Sequence, residues 1–302
     1  MFLGGIEAGG TKFVCAVGNE DGSILKRIEI PTTVPEETIG KVIGFFKEFE
    51  LNAIGIGSFG PIDVNPESPA YGYITTTPKK AWNNYPFVQA IKEKFNIPIG
   101  FHTDVNAAAL AESALGAAKG LNSCLYITVG TGIGAGAIVQ GKLLEGLSHP
   151  EMGHILVRRH PNDNYKGNCP YHQDCLEGLA AGPAIEGRWN KKAEELQDRQ
   201  EVWDLESFYL AQAIMQYVLI LSPKKIILGG GVMRQKQIFT YIHKYIQQLL
   251  NNYIGLPELS TSIEDYIVPP GLKEDSGIVG ALLLGKQAYQ KKETRLSESG
   301  MK

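Results

Sequence analysis

A chain of 302 residues is long enough for two domains of ordinary size. Hydrophobic residues at 43%, charged residues at 20% and aromatics at 9% exclude disorder and collagen-like order, and a net charge of -3 lacks the basic excess of a nucleic-acid binder. Four cysteines are too few for a disulfide scaffold, and the longest uncharged stretch, between Lys119 and Lys142, is too glycine-rich for a membrane helix, so a reduced, cytoplasmic protein without membrane contact is expected.

Residues 2–7 read as an apolar strand with no basic segment ahead of it, so no signal peptide is expected. Ala8-Gly9-Gly10-Thr11 is a tight turn, 13–17 a returning strand, Asn19-Glu20-Asp21-Gly22 a second turn and 24–30 a third strand. Over 35–49 the period becomes helical, with Ile39, Val42, Ile43 and Phe46 in phase and Pro35 at the start. Residues 53–58 form a strand, 87–95 a helix, 97–101 a strand and 105–118 an Ala-rich helix. At Ser123 the opening pattern restarts with strand 124–129, the turn Gly130-Thr131-Gly132 and strand 135–139. This repeat predicts two α/β halves, 1–118 and 119–302, joined by a hinge near Lys119-Gly120. The second half continues with an insert over 151–175, helices at 183–189 and 205–221, and a strand at 225–228. The turn Gly229-Gly230-Gly231 and a helix at 236–250 follow. A last helix at 277–289 is free to pack back on the first half, and the polar tail 291–302 is expected to fray.

Glycine turns at strand ends can offer backbone N–H groups to a phosphate, because glycine permits close ligand approach, although hairpins need glycine for geometry alone. Repetition, with Thr11 and Thr131 in matching places, points to phosphate. No G-x-x-x-x-G-K-[ST] occurs. Gly55-Ile56-Gly57-Ser58-Phe59-Gly60 matches the letters of the dinucleotide fingerprint, but Pro61 and Pro66 stand where its helix would open, and 75–77 carry no acid.

Four of the six histidines and two of the four cysteines fall between His149 and Cys175. Cys169-x-x-His172-x-x-Cys175 is a compact donor run of the type tetrahedral zinc takes, with a fourth ligand required from elsewhere, His154 or His160. Four protein ligands leave no open position, so the metal would be structural. Cys15 and Cys124 lie in apolar strands as core residues. Asp104, between a strand and the Ala-rich helix, reads from the sequence alone first as an N-cap, a common place for Asp.

Gly4-Gly5-Ile6-Glu7-Ala8-Gly9-Gly10-Thr11-Lys12, Thr103-Asp104-Val105-Asn106, Gly130-Thr131-Gly132-Ile133-Gly134 and Glu151-Met152-Gly153-His154, in that order, resemble the ROK family of sugar kinases, over about residues 4–285. Among its branches the chain is most similar to the bacterial fructokinases. The resemblance implies an actin-like ATPase fold of two RNase-H-like α/β domains flanking a cleft, with a zinc-binding insert in the second. It implies transfer of the ATP terminal phosphoryl to a hexose 6-hydroxyl, with D-fructose as the hexose and Asp104 as general base. Gly60, Pro61, Thr103, Asp104, Glu151, His154 and Glu177 would bind the sugar. Gly9, Gly10, Thr11, Lys12, Gly130, Thr131, Gly132, Pro183, Gly231, Val232, Met233, Arg234 and Gln235 would bind Mg–ATP, and His154, Cys169, His172 and Cys175 the zinc. A homodimer is implied in the same way.

Three positions depart from wider family patterns. Thr103 stands where glucose-type members carry Asn, and Cys169-Pro170-Tyr171-His172-Gln173-Asp174-Cys175 replaces C-x-C-G-x-x-G-C. Glu7 replaces the usual Asp of the first phosphate turn, keeping the carboxylate for water-mediated contact with Mg²⁺. Other hexoses, namely glucose, mannose or an N-acetylated amino sugar, are the alternative substrates. A ROK transcriptional regulator is disfavoured because the first glycine turn begins too early to leave room for a helix-turn-helix, and an actin-like assembly protein by the sugar-side carboxylates and the zinc insert.

Overall fold

The computed structural model describes residues 1–299. Its contacts divide the chain into two compact units. The first comprises Met1–Gly116, Leu143–His149 and Asp275–Lys302, and the second Ala117–Lys142 and Pro150–Glu274. A short return at 143–149 and the last helix thus belong with the opening unit.

In chain order the first unit begins with β1 (Phe2–Ala8), β2 (Lys12–Asn19), β3 (Ile24–Pro31), α1 (Pro35–Phe46), β4 (Ala53–Ser58), α2 (Phe87–Lys92), β5 (Ile99–Thr103) and α3 (Asp104–Ala114). The second holds β6 (Cys124–Val129), β7 (Ile133–Val139), α4 (Leu176–Ala180), α5 (Gly182–Trp189), α6 (Gln200–Leu221), β9 (Ile226–Gly229), α7 (Gln237–Leu250), α8 (Ile263–Tyr266) and β10 (Ile267–Val268), with the two-residue β8 (Lys142–Leu143) beside β7. The chain then returns to the first unit as α9 (Ser276–Ser299).

Among the described residues each sheet has five strands, ordered β3-β2-β1-β4-β5 and β8-β7-β6-β9-β10. In both, the first hairpin is antiparallel and the fourth and first strands pair in parallel. The repeat read from the glycine turns is thus a repeat of whole-sheet topology, the duplicated RNase-H-like arrangement. β4 and β6 have the expected bounds, whereas α6 starts at Gln200 rather than 205, and α9 continues to Ser299 rather than stopping at 289. The tail expected to fray is helical through 299, since Lys, Glu, Gln and Arg are good helix formers, and its last three residues lie outside the described ones.

Strand alternation builds the first unit's two faces. Ile6, Phe13, Cys15, Ile54 and Ile56 point to an aromatic core with Trp82, Phe87 and Phe101. Leu3, Val14, Ala16 and Ala53 point to the other face, against Ile278, Ala281 and Leu282 of α9. The G-x-G of β4 has its physical reason here. A Cβ on Gly55 would overlap the Ala281 carbonyl of α9, and one on Gly57 would stand 2.9 Å from Ala107 Cβ and 3.3 Å from Asp104 Cα. These glycines let two helices lie directly on the strand.

Candidate functional site

β1, β4 and β5 run parallel side by side, so their carboxyl ends share one edge of the first sheet, where open α/β sheets hold ligands. Gly9-Gly10-Thr11-Lys12 follows β1, Gly60-Pro61 follows β4 and joins through a cis peptide, and Thr103-Asp104 ends β5. Topology thus gathers three segments that are far apart in sequence. Thr103, rather than Asp104, is the N-cap of α3: its Oγ1 accepts the Asn106 N–H at 3.2 Å. Asp104 is the first helical residue, and its Oδ1 accepts the neighbouring Val105 N–H at 2.9 Å. Burial pushes its carboxyl up to about 6, against the pull of that hydrogen bond. On β1, burial and then the charge of Asp104 push Glu7 up to about 7, opposed by Arg27 and Lys12.

The second sheet repeats the arrangement. Gly130-Thr131-Gly132 follows β6, and Gly231 to Gln235 lies beyond the neighbouring parallel strand β9. Gly182, opening α5 ahead of Pro183, donates its N–H to the Gly130 carbonyl at 2.7 Å. Val232 and Met233 are buried, which leaves their backbone rather than their side chains for a ligand, and Arg234 pairs with Glu274 at 2.6 Å. Glu177, in the first turn of α4, accepts the Ile133 N–H at 2.9 Å through Oε2.

The insert gathers His154, Cys169, His172 and Cys175, with one donor atom from each lying within 4.8 Å of the others. His154 Nδ1 is 3.6 Å from Cys169 Sγ and 3.5 Å from Cys175 Sγ, and His172 Nδ1 is 3.7 Å from Cys169 Sγ. Tetrahedral zinc with ordinary bond lengths sets such S···N edges at about 3.5 Å, so the donor set fits zinc in type and spacing. Burial, with the adjacent Cys169, pushes the Cys175 thiol up to about 11, which keeps it protonated at neutral pH until a metal takes the proton's place. His154 presents Nδ1 to the thiols and leaves Nε2 3.9 Å from Glu177 Oε1. His160, the other fourth-ligand candidate, stands apart: its N–H meets Tyr209 Oη at 3.2 Å and its ring packs edge-on to Phe208. The insert is anchored by Asp163, held bidentate by Arg188 at 3.1 and 3.0 Å and bonded by Tyr209 at 2.6 Å. Burial alone would raise Asp163, but these partners outweigh it and hold the carboxyl low.

Other expected site residues stand differently. Lys12 pairs with Glu29 of β3 at 2.6 Å, and Glu151 is exposed at the start of the short helical turn that carries His154. Sequence reasoning overlooked two buried histidines beside the first site. His102 Nδ1 accepts the Thr103 N–H at 2.8 Å, so its Nε2–H faces Glu145 Oε1 at 2.9 Å. His149 Nε2 accepts the Ile62 N–H at 3.0 Å. Both bonds hold the 143–149 return against the first unit. Adjacency of His102 to Thr103-Asp104 was the one sign of this in the sequence.

A model of the ROK family matches residues 3–288. The chain belongs to the ROK family. It is 65% identical over 288 residues to a relative in Bacillus subtilis (strain 168), covering 95% of this chain and 96% of that protein. To a protein of Pediococcus pentosaceus named fructokinase it is 50% identical over 290 residues, covering 96% of this chain and 99% of the other. Among solved ROK structures, the hexokinase of Thermus thermophilus superposes with a TM-score of 0.78 at 26% identity, over 96% of this chain and 100% of that one. The two repeated sheets are therefore those of the actin-like ATPase fold.

Proposed function

We propose that this ROK protein is a sugar kinase that transfers the terminal phosphoryl group of ATP to the 6-hydroxyl of D-fructose. Fructokinase relatives covering nearly the whole chain support the reaction class. The observation that carries the chemistry is Asp104: Thr103 does the capping, which leaves a part-buried carboxyl, raised to about 6, at the sheet edge shared with the first glycine turn. A base with that pKa is ionised at neutral pH yet accepts a proton readily.

In the proposed reaction the 6-hydroxyl oxygen attacks the terminal phosphorus as Asp104 takes its proton. The new O–P bond forms, the bond to the β-phosphate oxygen breaks, and ADP leaves with that electron pair. Gly60, Pro61 and Thr103 are the first unit's sugar contacts. Glu151, Nε2 of His154 and Oε1 of Glu177 are likewise assigned to sugar hydroxyls. Gly9 to Lys12, with Gly130, Thr131, Gly132, Pro183 and Gly231 to Gln235, are assigned to Mg–ATP. Zinc on His154, Cys169, His172 and Cys175 would act as a cross-link that holds the insert, and with it Glu151 and Glu177, in place. The protein is taken to act in the cytoplasm as a homodimer, and sedimentation at enzyme concentration tests the dimer.

A coupled assay of ADP release with Mg–ATP and fructose, glucose, mannose and N-acetylmannosamine tests the substrate. Fructose is expected to give the highest kcat/KM. A higher value for another hexose would replace the substrate, and no sugar-dependent turnover would remove the kinase reading.

A further inference from the structure

The loop preceding Trp82 brings the side chain of Lys79 against the first glycine turn. Lys79 Cε lies 3.2 Å from where a Cβ on Gly10 would stand, so the turn and the lysine touch because Gly10 has no side chain. Lys79 is half-buried, and among the described residues no carboxylate pairs with it. In the turn below, Gly9 donates to the Lys12 carbonyl at 3.0 Å, whereas the N–H groups of Gly10 and Thr11 have no protein acceptor among the described residues.

The two parts are locked together by bonds that run through Thr32 and Thr33. The Thr32 hydroxyl donates to the Gly9 carbonyl at 2.8 Å and its N–H to the Thr11 carbonyl at 3.0 Å. Trp82 Nε1 donates to the Thr33 carbonyl at 2.8 Å, and the Trp82 N–H to the Lys79 carbonyl at 2.8 Å. The Trp82 ring is buried 5.3 Å from that of Phe13, the residue that follows the turn. A lysine side chain with no carboxylate partner among the described residues, lying against a turn that keeps two open N–H donors, matches the needs of a phosphoryl oxyanion.

We propose that Lys79, with the Gly10 and Thr11 N–H groups, binds the equatorial oxygens of the phosphoryl group in transfer and neutralises charge that develops there. The inference rests on the kinase reading. The lysine takes part in no bond change; it stabilises the state in which the sugar oxygen and the β-phosphate oxygen share the phosphorus.

The test compares Lys79→Met and Lys79→Arg with wild type. Wild type must first release ADP in a sugar-dependent way, and failure there overturns the kinase reading rather than the role of Lys79. With that established, Lys79→Met is expected to lose about 10²-fold in kcat with KM for the sugar within about threefold, and Lys79→Arg to recover at least a tenth of wild-type kcat. Calorimetry is expected to show ADP binding with aluminium fluoride and sugar weakened in Lys79→Met, and sugar binding alone unchanged. A kcat within twofold of wild type in Lys79→Met overturns the proposal. So does a variant whose sugar affinity and melting temperature fall together with kcat, since that marks a structural residue.

Discussion

The two glycine turns begin as copies and end as different devices. Each closes the antiparallel hairpin that opens its sheet, in sheets of the same strand order. Yet the first spans residues 9–12 between the pair Ala8 and Phe13, and the second only 130–132 between Val129 and Ile133. A lysine from a distant loop covers the first. At the second, a carboxylate grips the N–H of Ile133, and α5 donates back to Gly130. The first keeps the N–H groups of Gly10 and Thr11 without a protein acceptor among the described residues, as the proposed phosphoryl contact requires. The second is held by Glu177, whose other oxygen faces His154 of the Cys/His cluster in the insert. Duplication preserved the sheet, whose register is set by many strand bonds, and left the turns to diverge with whatever packed on them.

The sharpest way to break this contrast is to move the chemistry off the first unit. Asp104→Asn is expected to lower kcat by about 10²–10⁴ with a smaller change in sugar KM, and a variant with near wild-type turnover would take Asp104 out of the reaction. The pH profile carries the same information: activity is expected to fall on the acid side of about pH 6 as Asp104 becomes protonated. On the second unit, Cys175→Ala is expected to abolish stoichiometric zinc in elemental analysis and to lower the melting temperature by more than about 5 °C. Zinc-free wild-type protein with full activity and stability would refute the metal's part.

A finer test sets glycine against glycine. A Cβ at Gly132 would stand 2.6 Å from Glu177 Oε2, so Gly132→Ala must displace the carboxylate from Ile133. That change is expected to weaken zinc retention and to raise KM for both substrates by about tenfold, the worth of one charged hydrogen bond. Gly10→Ala meets only the flexible end of Lys79 and is expected to lower kcat with less effect on stability. Equal effects of the two on zinc retention would erase the distinction between the turns.

The smallest effect is on stability. Glu7 is raised in the folded state from 4.5 to about 7, so it binds its proton more tightly folded than unfolded. It therefore contributes stability that is fully present below pH 4.5 and lost as pH rises through about 7. Glu7→Gln is expected to melt about 2–5 °C above wild type at pH 8, with the gain vanishing toward pH 4.5, as followed by calorimetry without ligands.

Much of this was legible in one dimension. Alternation at Ile6, Phe13, Ile54 and Ile56 gave strands facing a core, and the Ala-rich run after Asp104 gave α3. The Cys169-x-x-His172-x-x-Cys175 spacing named three donors that the fold brings together. Other features were not legible, because their causes lie far apart in the chain. The prolines after β4 already rule out a nucleotide fingerprint, but the reason for its G-x-G appears only when α9, more than two hundred residues later, is seen pressing on Gly55. The family motif favours His154 over His160, but that His154 turns Nδ1 to both thiols depends on which way the insert folds, and the buried Asp163–Arg188 pair helps to hold that fold.

By itself the sequence determined the elements, their twofold repetition and the chemical inventory of the glycine turns, because hydrophobic period and turn chemistry act over a few residues. Only the tertiary structure decided which groups share an edge: strand order set Gly9 to Lys12, Gly60-Pro61 and Asp104 side by side, and packing of Trp82 on Phe13 brought Lys79 over Gly10. Register and burial join residues across the whole chain, and no local pattern records such a juxtaposition.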